Sequence, residues 1–336
     1  MTRKIKKLLV LASISLGALS GCGGGGGSSS PSTASATVSK GVITGFGSIF
    51  VNGVEYKTAS AKLYLPDTSS SPTSLGSSES EIQNHLKIGM AVTVKGSSDS
   101  STGQASEIEF KDNMEGLVTA KTATTLTVLG VTVNVDSATK LYASSGSSTT
   151  LAAITAGSTW VEISGLPDNT GALTATYIEI KSSAGTEQEL KGFVVASTAG
   201  SFDLGLTAGI KSATINAPLP AGIAVGSFVE VKFDAAGNVT KVEIDDDLVK
   251  ADGATAKAEA EGYISAITGD TITLTVNGAS QTVTLTATTV YFFSSGSGGT
   301  LTAATRSDLA VGKKISAEGP LSGGVITATK IKIKTS

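Results

Sequence analysis

The chain has 336 residues, of which 40% are apolar, 16% charged and 5% aromatic; 45 serines and 44 threonines supply about a quarter of it, and its formal charge is −3. This is the composition of a β-rich exported protein. One histidine (His85), one cysteine (Cys22) and, beyond Arg3, one arginine (Arg306) leave too few ligands for the usual zinc sites, a haem-attachment element or a cysteine nucleophile, and no cofactor is expected.

The N-terminus reads as an export signal, with Arg3, Lys4, Lys6 and Lys7 before an apolar stretch from Leu8 to Leu19 and small residues before Cys22. Twelve helical residues cover about 18 Å, well short of the roughly 30 Å hydrocarbon core, so this stretch is no transmembrane anchor. Leu19-Ser20-Gly21-Cys22 resembles the bacterial lipobox. That resemblance implies a lipoprotein signal peptide over residues 1–21, acylation of Cys22 and a stable membrane anchor through several acyl chains. Gly23 follows where the inner-membrane retention rule asks for aspartate, so the expected address is the outer membrane, on its periplasmic or surface face. Residues 22–37, the lipidated cysteine and a Gly/Ser-rich run, form a flexible tether. Without residues 1–21 the chain keeps 21 lysines and arginines against 28 acidic residues, hence −7, which excludes nucleic acid as a partner. With Cys22 acylated there is no disulfide, so each domain rests on its apolar core.

After the tether the sequence repeats. Four starts align at Gly41-Val42-Ile43, Gly116-Leu117-Val118, Gly192-Phe193-Val194 and Gly262-Tyr263-Ile264, spaced by 75, 76 and 70 residues. Each is followed by an apolar position (Leu63, Leu141, Ile215, Val290), then by a turn glycine (Gly89, Gly157, Gly226, Gly312) with a strand after it, and each unit closes on an alternating strand such as TATYIEI or TATKIKI. Alternation such as Val131, Val133 and Val135 against Thr132 and Asn134 is the period of a half-buried strand. Asn52-Gly53, Asn277-Gly278 and the Asp234 to Asn238 segment mark hairpins. Leu151 to Thr155 has room for one helical turn, and the Ser-rich stretch Ser69 to Ser80 reads as a loop. Short strands in units this small gain most by closing on themselves, which removes exposed edges. The expectation is therefore an all-β tandem array of four small OB-like β-barrels at residues 38–113, 114–183, 184–248 and 249–336, with an immunoglobulin-like sandwich as the alternative.

The segment Gly45-Phe46-Gly47-Ser48-Ile49-Phe50-Val51-Asn52-Gly53-Val54-Glu55-Tyr56, followed by LKIGMAVTVKG and ASEIEF, resembles a bacterial lipoprotein family known only as a domain of unknown function. The resemblance is firm over residues 41–113 and weaker beyond, where the GFGS element is lost. It implies a small β-barrel, export and tandem repetition, and brings no activity or catalytic residues.

Few residues suggest chemistry. His85 stands alone in a loop before the Gly89 turn and reads as a surface residue. Asp245, Asp246, Asp247 and nearby Asp252 form the densest carboxylate group; they lack the ligand spacing of a calcium loop and read as a solvated linker turn, so they are metal candidates by density alone. Aromatics such as Phe46, Tyr56 and Trp160 could contact a ligand, Trp160 foremost because it falls outside the Val161/Ile163 alternation. The leading expectation is a non-enzymatic envelope lipoprotein that anchors to the membrane and serves as a binding scaffold or spacer for an envelope protein. A glycan-binding module with a groove of exposed aromatics is the alternative. A carboxylate-dependent hydrolase, the third reading, requires a concave pocket holding carboxyls of raised pKa.

Overall fold

The computed structural model describes residues 35–335 apart from 60, 67–71, 77, 100, 184, 248–249, 254, 277–278 and 296–299. The expected export signal, Cys22, the expected tether up to residue 34 and the expected Asn277-Gly278 turn lie outside the described residues. The first unit holds β1 (Ser35–Phe46), β2 (Ile49–Val51), β3 (Val54–Lys57), β4 (Lys62–Tyr64), β5 (Thr73–Ser74), α1 (Glu79–Gln83), β6 (Ala91–Ser98) and β7 (Thr102–Phe110). The second holds β8 (Met114–Lys121), β9 (Thr125–Val128), β10 (Val131–Asn134), β11 (Lys140–Ala143), β12 (Trp160–Pro167) and β13 (Leu173–Ile180), with a 3-10 turn at Leu151–Ala153 where one helical turn is expected. The third has β14 (Glu187–Ser197), β15 (Phe202–Gly205), β16 (Ala213–Ile215), β17 (Phe228–Asp234) and β18 (Val239–Ile244). The fourth has β19 (Lys257–Thr268), β20 (Thr271–Val276), β21 (Ala279–Thr284), β22 (Val290–Ser295), β23 (Leu301–Ala304), β24 (Lys314–Ser322), β25 (Val325–Thr327) and β26 (Lys330–Thr335).

One pairing scheme recurs. In the first unit β1 pairs antiparallel with both β2 and β6, β2 with β3 and β6 with β7, while β3 and β4 run parallel to β7 and close the sheet. The second unit closes in the same way through β10 and β11 against β13, and the fourth through β21 against β25 and β22 against β26. These are small, closed, OB-like barrels. The first strand of every unit is bulged at the same place, after Ile43, Val118, Val194 and Ile264. A bulge bends the strand, so that its two halves serve different neighbours. The predicted turn glycines Gly89, Gly157, Gly226 and Gly312 all have positive φ, at 100°, 81°, 94° and 85°.

The third unit departs from the expectation of four barrels. Its β14–β15–β16 and β14–β17–β18 pairings form, but among the described residues nothing joins β16 to β18, so the sheet stays open. One sequence position accounts for this. In the closed units the strand before the final hairpin carries Gly96, Gly165 or Gly319, and a Cβ there would lie 2.0, 2.3 or 1.9 Å from the carbonyl oxygen of Gln104, Thr174 or Thr327. Only glycine permits that crossing. The third unit has Phe233 at the equivalent place, and its side chain fills the core instead.

The cores reflect this. The first and fourth barrels each have their own apolar cluster, whereas the second barrel and the open third sheet share one, in which Met114, Ile163, Leu190 and Val231 are fully or nearly fully buried. Each such side chain contributes roughly 1.5–3 kcal/mol by leaving water. The array also folds back on itself: β1 pairs in parallel with β19, matching Thr37 to Lys257 through Lys40 to Ala260, and β8 pairs with β14. Val42, Ala91 and Leu166 meet Tyr263 where the first, second and fourth units join.

Candidate functional site

The β8/β14 pairing fuses the second and third units into one sheet, and register then decides what stands in line across it. Met114, Ile163, Ile178 and Leu190 point into the shared core. Their strand neighbours must therefore face the other way, because side chains alternate. Those neighbours are all glutamates: Glu179 on β13 lies opposite Glu162 on β12, Glu162 opposite Glu115 on β8, and Glu115 opposite Glu189 on β14. Opposed side chains on antiparallel strands stand about 5 Å apart, so like charges there repel, by ~3 kcal/mol per adjacent pair at an effective dielectric of about 20.

The same row exists in the other units with different residues. It reads Lys40, Thr93, Glu109 in the first, Lys191, Glu230, Glu243 in the third and Glu261, Ser316, Lys332 in the fourth. Each of these carries a lysine. The all-glutamate row of the second unit is thus a property of its sequence and not of the fold.

Two lysines and the linker after β7 complete the cluster. Lys181 Nζ donates to Glu162 at 2.6 Å and pairs with Glu115 at 3.1 Å. Lys191 Nζ donates to Asp112 Oδ1 at 2.6 Å and to Glu189 at 2.7 Å, with Glu230 at 3.5 Å. Tyr177 donates its hydroxyl proton to Glu179 at 2.5 Å. Asp112 is 3% exposed, and its Oδ2 receives no hydrogen bond. Burial pushes the Asp112 carboxyl up to about 7 against the pull of Lys191, and the neighbouring charge of Glu189 acts in the same direction as burial. Burial likewise lifts Glu162 to about 7, helped by Asp112 and opposed by Lys181. Glu189 is raised as well, burial again being the larger cause. For Lys181 and Lys191 burial works against the charged form, but the surrounding carboxylates prevail and hold both above their ordinary value. Carboxyls outnumber lysines here, so the lysines stay charged while part of the acid charge is held as protons.

The first barrel lies over this row and leaves a cleft of about 320 Å³ between them. Glu115, Glu162, Glu179 and Glu189, with Asp112 and Lys181, line one side; Leu65, Pro66, Met90 and Phe110 line the other, and His85 stands at it. Phe110 meets Tyr177 edge-on at 6.1 Å, and Tyr142 donates to the carbonyl of Ile88 at 3.2 Å, fixing the two barrels together.

The residues singled out from sequence fall elsewhere, except His85. Trp160, expected to be exposed, is 5% exposed: its ring lies against Gly185, where a Cβ would come within 2.8 Å of it. Tyr56 is 1% exposed in the first core, and Phe46 packs half-buried against that core, so the three share no groove. The aspartates are only in part a solvated turn. Asp247 pairs with Lys40 at 2.9 Å, Asp245 with Lys111 at 2.8 Å and Asp252 with Lys95 at 2.5 Å, which latches the segment after the third unit to the first barrel; Asp246 is exposed beside Lys250. Among the described residues no group of three or more His, Cys, Asp or Glu is placed to hold a metal ion. The glutamate row itself escaped sequence reading, although one signal was present: Glu115 precedes the repeat glycine where two sister units have lysine.

Two segments of the chain, residues 115–179 and 261–332, match a family described as a domain of unknown function (DUF5666). These are the second and fourth units, not the first, which carries the GFGS motif. No curated protein matches the chain.

Proposed function

We propose that the chain is a non-enzymatic cell-envelope lipoprotein, anchored through Cys22 at the outer membrane, whose folded part binds a ligand in the glutamate-lined cleft and is not merely a spacer. The observation that carries this reading is the cleft. It is concave, it lies where three units meet, and it concentrates like charge that the sister units balance. Binding sites commonly fall at such junctions. Two of the three aromatics named for the glycan alternative, Trp160 and Tyr56, are buried and offer a sugar no face.

Two experiments test the reading. Cys22→Ser moves the protein from the membrane fraction to the soluble fraction if the anchor is as proposed; continued membrane association contradicts it. A photo-crosslinking amino acid in place of His85 captures an envelope component in living cells, capture falls with Glu179→Gln, and the same probe in place of exposed Thr214 captures none. Equal capture at both positions contradicts a ligand in the cleft.

A second reading, hydrolysis by a carboxyl pair, draws on the Asp112 and Glu162 carboxyls held near 7. Each already accepts a lysine ammonium at 2.6 Å, which engages it in the sheet. Release of reducing ends from envelope glycans, abolished by Glu162→Gln, is the result that supports this reading over binding.

A further inference from the structure

Resting on the binding reading above and naming its ligand class, we infer that the cleft takes a primary alkylammonium group, as carried by a lysine side chain or a polyamine. Charge argues first. Four glutamates stand in register on adjacent strands, whereas the equivalent row carries a lysine in each sister unit. The site is short of positive charge for a reason its own fold does not impose.

A second observation concerns hydrogen bonding. Asp112 lines the cleft at 3% exposure, Lys191 donates to its Oδ1, and its Oδ2 has no donor from the chain. A buried carboxyl oxygen without a donor is costly and rare. An incoming ammonium carries three N–H donors and no acceptor, so it can donate there while its charge faces the glutamates.

Shape then separates an organic cation from a bare metal ion. Calcium needs six to eight oxygens at about 2.3–2.6 Å, and no such set converges among the described residues. The first barrel contributes Leu65, Pro66, Met90 and Phe110 beside His85 to the lining, and these apolar side chains suit an alkyl stem. A volume of about 320 Å³ falls within the range of small-ligand pockets.

The test is calorimetric titration of the full-length chain in mild detergent at pH 8 with n-butylammonium, spermidine, Nα-acetyl-lysine amide and calcium chloride in turn. The expected result is saturable ammonium binding, weakened about tenfold or more by Glu162→Gln and by Glu179→Gln. Glu243→Gln, which removes the same charge from an exposed strand of the third unit, leaves it unchanged. Tighter binding of spermidine identifies a free polyamine as the source, and tighter binding of the lysine amide a protein or peptide side chain. Melting curves establish that each variant is folded; if Glu162→Gln is not, half-buried Glu179 still carries the test. No saturable ammonium binding by a cooperatively melting chain overturns the inference, as does calcium binding that the glutamine variants abolish and ammonium fails to displace. The crosslinking at position 85 then decides separately whether the cleft binds any ligand.

Discussion

The carboxyl-rich junction makes the folded chain more stable in mild acid than in mild base. Asp112 is held at about 7 against an ordinary 3.8, and Glu162 at about 7 against 4.5. Lys191 and Glu189 on β14, Glu230 on β17, Glu115 on β8, Glu179 on β13, Lys181 beyond it and His85 before β6 surround the two groups. A carboxyl whose pKa is raised by folding contributes stability that is fully present below its unfolded value and is lost as pH rises through its folded value. Between pH 5 and 7 the native state holds each proton while the unfolded chain has released it, so stability falls by about 1.4 kcal/mol per pH unit per group. From pH 5 to pH 8 that is about 3 kcal/mol for each carboxyl, and Glu189 adds to it with the same sign. Asp247, Glu261 and Glu318, held low in the fold, change stability only at or below the ordinary carboxylate range, outside this window. Thermal melts at pH 5 and pH 8 in equal salt therefore differ by on the order of 10 °C, with the higher Tm at pH 5, and Asp112→Asn with Glu162→Gln flattens the profile. A wild-type Tm that is constant or rises from pH 5 to pH 8 refutes the reasoning.

Other substitutions follow from the same geometry. Lys181→Met removes the cation between Glu162 and Glu115; with the lysine side chain 28% exposed, the loss is about 2 kcal/mol in urea denaturation and is larger at pH 8 than at pH 5. Gly165→Ala drives a Cβ to 2.3 Å from the Thr174 carbonyl oxygen and destabilises by about 2–3 kcal/mol, seen as an early loss of the Trp160 near-ultraviolet signal. Trp160→Ala costs about 3–5 kcal/mol of stability and leaves ammonium affinity unchanged in a chain that still folds; a lost ligand with no lost stability would return Trp160 to the surface.

What the sequence made legible was local. Strand order and unit boundaries follow from alternation and turn glycines, which act over a few residues, and Gly89, Gly157, Gly226 and Gly312 all take the expected backbone. The open third sheet was also written locally, as Phe233 in SFVEVKF against the glycine of STWVEISG, though its consequence needs the crossing strand to be seen. Trp160 misled because alternation assumes one wet face, and at this unit boundary Gly185 covers the other. The return of β19 onto β1 joins residues some 220 positions apart and has no local signature. The glutamate row is the same kind of fact. Each of its members reads as an ordinary polar position, and only the register across four strands turns them into a site.

The most direct measurement is the number of protons released when n-butylammonium binds, read by calorimetry at pH 7 in buffers of different ionisation enthalpy. If the glutamate row is a cation site whose missing charge is held as protons, binding displaces part of the protons held on Asp112 and Glu162, and the observed heat varies with the buffer in the sense of proton release. Heat that is saturable but independent of the buffer, or proton release that persists in Asp112→Asn with Glu162→Gln, contradicts the account.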